Sequence, residues 1–255
     1  MKERHPVRAF DNREFLHARQ ARVIRIISEY LEPEMRFKEL DIRHTAVFFG
    51  SARIDPNTND DTAAYYHLAA DFAFELANLS KEIETETGSP IYICTGGGPG
   101  IMEAANLGAK RAGALTIGLN IDLPFEQSPN KYISPELSFR FHYFFMRKLW
   151  FLYQAKAIIV FPGGFGTMDE LFEVLTLIQT RKMEKIDIPI LLFDEKFWRD
   201  IINFDRLVTC GFIMPEDLGL FHYCSDVQEG IRYLKPRLIE LIRNMHQLAV
   251  MKFPL

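Results

Sequence analysis

The chain has 255 residues, 48% of them apolar and 25% charged, with a formal net charge of −4. That is enough chain for one sizeable domain with an added arm, and the mixed composition excludes a chain disordered as a whole. The charge balance gives no basic field for nucleic acid or an acidic membrane surface, so neither is an expected partner.

The elements follow in chain order. Met1 to Phe15 is charged, without the apolar run of a signal peptide, and no later run is long enough to span a bilayer. Residues 1–43 read as a helical arm. In "REFLHARQARVIRIISEYL", Leu16, Val23, Ile27, Tyr30 and Leu31 fall at roughly helical spacing, as for a helix packed on a core or at a subunit contact, and Pro33 is expected to end it. From residue 44 to 255 short apolar runs alternate with helical patterns. "TAVFFG", "IYICT", "LTIGLN", "AIIVF" and "IPILLF" read as strands, and "LFHYCS" as a short final run before a C-terminal helix. A long irregular stretch, "IDLPFEQSPNKYISPEL", precedes "FRFHYFFMRKLWFLYQA". Buried strands alternating with helices predict an α/β fold: a doubly wound, mostly parallel, Rossmann-like sheet with helices on both faces.

Ligands of such sheets bind beyond the carboxyl ends of the strands. Three bare turns fall there: "GSAR" with Gly50 and Ser51, "TGGGPG" with Gly97 and Gly98, and "PGGFGT" with Gly163, Gly164, Gly166 and Thr167. Glycines let a backbone approach a ligand, and a helix starting near Thr167 offers unpaired N–H groups and a positive dipole end, which suits phosphate. The spacing is neither GxGxxG nor a Walker loop, so a monophosphate is expected before a dinucleotide or triphosphate. Thr167 and Glu170 also spell a capping box, in which Glu170 needs no chemistry. Glu103, one turn into the helix after "GGGPG", suits either a ribose hydroxyl or the helix dipole. Arg147 and Lys148 are adjacent cations among aromatics. Arg147 is placed in the pocket, and Lys148 either binds substrate or snorkels to solvent. Cys94, Cys210 and Cys224 are odd in number and far apart, and the seven histidines form no HExxH. No disulfide frame or metal site is expected, and a reducing cytoplasm fits.

"TGGGPGIMEAAN", "IGLNIDLPFEQ", "HYFFMRK" and "PGGFGTMDELFEVLTLIQT" resemble the LONELY GUY family, nucleoside 5′-monophosphate phosphoribohydrolases that release cytokinin bases. The signature PGGxGTxxE and an upstream RK pair both occur. The arm and the "LPFEQSPN" insertion look like the longer bacterial branch. Members have often been labelled lysine decarboxylases, but no lysine motif for pyridoxal phosphate stands out here. The resemblance implies Arg147 and Glu170 as catalytic pair and Gly163, Gly164, Gly166 and Thr167 as phosphate turn. It places the "GGGPG" turn, with Gly97 and Gly98, and Glu103 at the nucleotide, and Gly50, Ser51 and Lys148 are expected to contact substrate beside them. It implies no metal or organic cofactor, and a homodimer or larger homo-oligomer. Phe165 and Met168 are side-chain variants within the signature. The expected reaction cuts the N-glycosidic bond of a purine or cytokinin nucleoside 5′-monophosphate. The alternative is a nucleotide-binding or carrier protein of the same fold that does no chemistry.

Overall fold

The structure, a computed structural model, describes residues 6–58, 61–123, 128–182 and 188–252. Its strands are β1 (Thr45–Phe49), β2 (Tyr92–Thr95), β3 (Thr116–Ile121), β4 (Ser138–Phe141), β5 (Ala155–Val160), β6 (Ile190–Phe193) and β7 (His222–Cys224). Its α-helices are α1 (Arg13–His17), α2 (Arg22–Glu39), α3 (Ala63–Thr87), α4 (Ile101–Arg111), α5 (Phe144–Tyr153), α6 (Phe165–Gln179), α7 (Glu195–Ile201), α8 (Phe204–Thr209) and α9 (Val227–Lys252). The strands form one sheet in the order β4-β3-β2-β1-β5-β6-β7, every pair parallel. The order reverses between β1 and β5, which is where an open α/β sheet leaves a crevice.

The central strands β1 and β5 are buried along their whole length because both faces are covered. In β1, Ala46 and Phe48 join the core beneath α3, α4 and α9, while Val47 and Phe49 join the core beneath α2, α5 and α6. In β5, Ala157 and Ile159 serve the first core and Ile158 and Val160 the second. The alternation is that of side chains on opposite faces of a pleated strand.

Three features differ from the sequence reading. First, β4 lies inside the stretch read without a strand. Its residues alternate between core and surface because it is an edge strand, so it lacks the continuous apolar run of the inner ones. Part of the "LPFEQSPN" insertion, residues 124–127, lies outside the described residues.

Second, Pro33 does not end the arm helix, since α2 runs through it to Glu39. A proline there leaves the carbonyl four residues earlier without its helical donor. That carbonyl belongs to Glu29, and the Trp150 indole N–H donates to it at 3.0 Å. The Glu29 carboxylate accepts the backbone N–H groups of His142 and Tyr143 at the start of α5, at 2.8 and 3.2 Å. Trp150→Phe should therefore lower stability by about 1–3 kcal/mol, through the lost bond and the gap left by the indole, as read from denaturant unfolding.

Third, α2 carries two apolar stripes, and the one expected inside faces out. Ile26, Tyr30, Pro33 and Phe37 pack inward, at helical spacing. Val23 (64% exposed), Ile27 (49%) and Leu31 (52%) face solvent. Tyr30 alone of the expected stripe joins the core, against Trp150. Periodicity finds an apolar stripe, but packing decides which stripe is covered.

Candidate active site

All three bare turns lie at the carboxyl edge of the parallel sheet and are stitched together by backbone bonds. Ser51 N–H donates to Pro162 C=O at 3.1 Å, and Ile101 N–H donates to Ser51 C=O at 3.1 Å. The Gly50–Ser51 turn after β1 thus joins the turns after β2 and β5. Gly100, with φ +67°, faces the Ser51 carbonyl so closely that no side chain would fit. Gly50 is pressed against Ile101 in the same way.

Helix α6 begins at Phe165, with Gly164 as N-cap and no side-chain cap bond. Its first helical bond runs from Met168 N–H to Gly164 C=O, at 3.0 Å. The amides of Phe165, Gly166 and Thr167 are therefore the open end of the helix. Thr167 sits in the first turn with its hydroxyl against the Cα of Gly163, and Glu170 lies a turn further in. The capping box spelled by Thr167 and Glu170 does not form, because the helix starts two residues before the threonine. Gly164 and Gly166 face open space. Neither has a positive φ, so their use is the room that a missing Cβ leaves above the helix end.

Glu170 is 6% exposed, and its Oε1 lies 3.7 Å from Arg147 Nη2. Its Oε2 and Arg147 Nε are buried, with no hydrogen-bond partner among the described residues. Burial pushes the Glu170 carboxyl up to about 7. Arg147 and Lys148 pull against that, and Glu173 and Asp169 add to it. Burial likewise lowers Arg147, against the pull of Glu170 and Asp169. The guanidinium lies 5.3 Å from the centres of both the Phe144 and Phe151 rings, a cation–π contact with each. Those rings stand three residues before and four after Arg147, a helical spacing visible in the sequence but not used in reading it.

The other expected residues divide. Arg147 also reaches the β2 turn. A Cβ on Gly96 would lie 3.8 Å from its Nη1, so Gly96 belongs with the site although the sequence reading passed over it. Gly97, at φ +72°, packs on Asn120, and Gly98 lends its carbonyl to Asn130. Glu103 is in the first turn of α4, and Tyr66 donates to it at 3.5 Å. Lys148 Nζ is held by Asp169 at 2.9 Å and Glu173 at 3.1 Å, on the outer side of α6. Two crevices, of about 670 and 610 Å³, lie beyond β6 and β7 around Asp194 and Arg199, and neither includes Arg147 or Glu170. Among the described residues no three His, Cys, Asp or Glu side chains gather as metal ligands, and no helix is long and apolar enough to cross a membrane.

Residues 102–234, just over half of the chain, match the family model described as "Possible lysine decarboxylase". The cytokinin riboside 5′-monophosphate phosphoribohydrolase LOG7 of Arabidopsis thaliana is 34% identical over 84 residues, 32% of this chain and 37% of that protein. The cytokinin riboside 5′-monophosphate phosphoribohydrolase of Mycobacterium tuberculosis is 26% identical over 190 residues, 73% of this chain and 99% of that one. Among solved structures, the molybdenum cofactor carrier protein of Chlamydomonas reinhardtii has a TM-score of 0.52 at 18% identity, covering 77% of this chain and 98% of that chain, a likeness of fold alone. A parallel sheet with PGGxGTxxE and RK at its carboxyl edge, matched by the family model and by these phosphoribohydrolases, places the chain in the LONELY GUY family.

Proposed function

We propose that the protein hydrolyses the N-glycosidic bond of a purine or cytokinin nucleoside 5′-monophosphate to free base and ribose 5-phosphate. The observation that carries this reading is the Glu170 carboxylate. It is buried, with one oxygen near Arg147 and the other unpartnered, one turn inside a helix whose open amide end suits phosphate. A pure phosphate binder gains nothing from a buried carboxylate there, because it repels the anion. The phosphoribohydrolase names of the relatives support the same chemistry.

In this reading the 5′-phosphate docks on the amides of Phe165, Gly166 and Thr167, which anchors the ribose. The C1′–N bond breaks with positive charge building on the ribosyl ring, and Glu170 faces that charge. Water bonds to C1′ and gives up one proton, which leaves with the base. A carboxyl near 7 is matched to taking that proton at neutral pH. Arg147 keeps its charge throughout, so it holds substrate and Glu170 in register.

The description of the family model points to another chemistry, which the site does not favour. Lys156, the buried lysine among the described residues, sits at the amino end of β5, with its Nζ on the Gln154 and Ala155 carbonyls, at the opposite edge from the turns.

The experiment is chromatography of products from AMP, isopentenyladenosine monophosphate, adenosine, ATP and lysine. The monophosphates should release base, and adenosine, ATP and lysine should be poor or inert. Equal turnover of adenosine and AMP would sink the phosphate anchor. AMP bound without base release would instead establish the carrier reading.

We also propose that the protein is a homodimer at minimum. The outer stripe of α2 (Val23, Ile27, Leu31) and the α5 residues Phe145, Leu149 and Tyr153 are exposed on adjoining helices. Exposed apolar side chains on adjoining helices suit a self-complementary contact. Light scattering at micromolar concentration should give twice the monomer mass or more, and Ile27→Glu with Leu31→Glu should shift it to monomer.

A further inference from the structure

Beneath the β2 turn lies a closed ring of hydrogen bonds that the proposed chemistry does not use. Gly97 N–H donates to Thr95 Oγ1 at 2.9 Å, and Thr95 Oγ1 donates to Asn106 Oδ1 at 2.8 Å. Asn130 Nδ2 donates to the same Asn106 oxygen at 2.8 Å and to the carbonyls of Gly97 and Gly98 at 3.2 and 3.1 Å. Asn130 N–H adds a bond to Gly97 C=O at 2.9 Å. The ring therefore begins and ends on the turn.

Asn106 is fully buried and satisfied on both sides, since its Nδ2 donates to Thr116 Oγ1 and Ile117 C=O at 2.6 and 3.3 Å. Only one orientation of its amide fits. Flipped, it would set donor against donor at Asn130 and acceptor against acceptor at Ile117. Asn130 Oδ1 accepts from Tyr132 N–H at 3.1 Å, which fixes its own orientation. In a trans peptide the Gly98 N–H points opposite to the Gly97 carbonyl. Gripping that carbonyl from the Asn130 side turns the Gly98 N–H away from the 128–134 segment.

We propose that Asn130, anchored on Asn106, is a positioning residue that holds the Gly96–Gly100 turn in its ligand-receiving shape. The segment after β3 thereby takes part in the site without touching the reacting atoms. The catalytic arm of its test rests on the proposed nucleotide chemistry, and a second arm does not.

Asn130→Asp is isosteric but sets a carboxylate against three oxygens, whereas Asn130→Ala removes the donor, and the acceptor of Tyr132 N–H, without adding a charge. In the full-length protein, Asn130→Asp should raise KM for AMP about tenfold or more while kcat stays within about threefold, the pattern of lost ground-state positioning. Asn130→Ala should give a smaller rise, with a melting temperature near that of the native protein. Protonation restores one donor to Asn130→Asp, so its AMP dissociation constant, relative to the native protein's at each pH, should improve from about pH 8 to about pH 5. Native KM in both variants, or a loss in kcat alone, overturns the proposal. If the native protein neither binds nor cleaves AMP, the proposed function fails, and amide hydrogen exchange decides this inference by itself. Faster exchange at Gly96–Gly98 in Asn130→Ala supports it, and unchanged exchange overturns it.

Discussion

Glu170→Gln should fold and bind AMP but release base with turnover lowered by roughly 10²-fold or more, the scale of losing one well-placed electrostatic contact at a transition state. The amide keeps the shape and the hydrogen-bonding capacity of the side chain. The helix end and its open amides do not depend on it, since no capping box is present. What is lost is the charge.

Stability should change in the other direction. The folded protein holds the Glu170 carboxyl at about 7, above its ordinary value of 4.5, so the native state binds this proton more tightly than the unfolded chain does. That contribution is fully present below about 4.5 and is lost as pH rises through about 7. Above pH 7 the native protein carries a buried, ionised carboxylate that Glu170→Gln lacks. The variant should therefore melt higher than the native protein at alkaline pH, with its advantage shrinking toward acid. A residue whose removal stabilises the fold while abolishing turnover is held for function. Near-native base release by Glu170→Gln would refute the role assigned here, whatever the melting curves show.

The second large effect is expected at Arg147. Arg147→Ala should lower turnover by roughly 10²-fold or more and raise KM for AMP, because it removes a fixed positive charge from beside a buried carboxylate. It should also move the pH dependence. If the ionised carboxylate is the active form, native kcat/KM rises with pH through about 7. Arg147 is the foremost influence holding that value down against burial. Without it the carboxyl titrates at still higher pH, so the rising limb of residual activity should shift toward alkali. Arg147→Lys should restore little, since a compact ammonium does not reproduce the contacts of a guanidinium with the Phe144 and Phe151 rings. A rising limb in Arg147→Ala that coincides with the native one would separate the two residues and end their assignment as a pair.

The sequence by itself determined the sheet. Runs such as "TAVFF" and "AKAIIV" leave a strand no polar face, so they must lie in the middle of a covered parallel sheet, and the glycine-rich turns that follow them must then share its carboxyl edge. Of the residues later found around that edge, Gly163, Thr167 and Glu170 were legible from the glycine-rich signature turn, and Arg147 from the RK pair set among aromatics. Only the tertiary structure decided which of two local readings held. Thr167-x-x-Glu170 spells a cap, yet α6 begins at Phe165. Pro33 spells a stop, yet the Trp150 indole takes up the carbonyl it frees. Val23, Ile27 and Leu31 spell a buried stripe, yet Ile26, Tyr30 and Phe37 took the core. In the last two cases a partner distant in the chain outweighs the local preference. The Asn106–Asn130 ring was invisible for the same reason. It unites residues from β2, α4, β3 and the segment after it, and nothing local marks an asparagine as the one whose every bond is made.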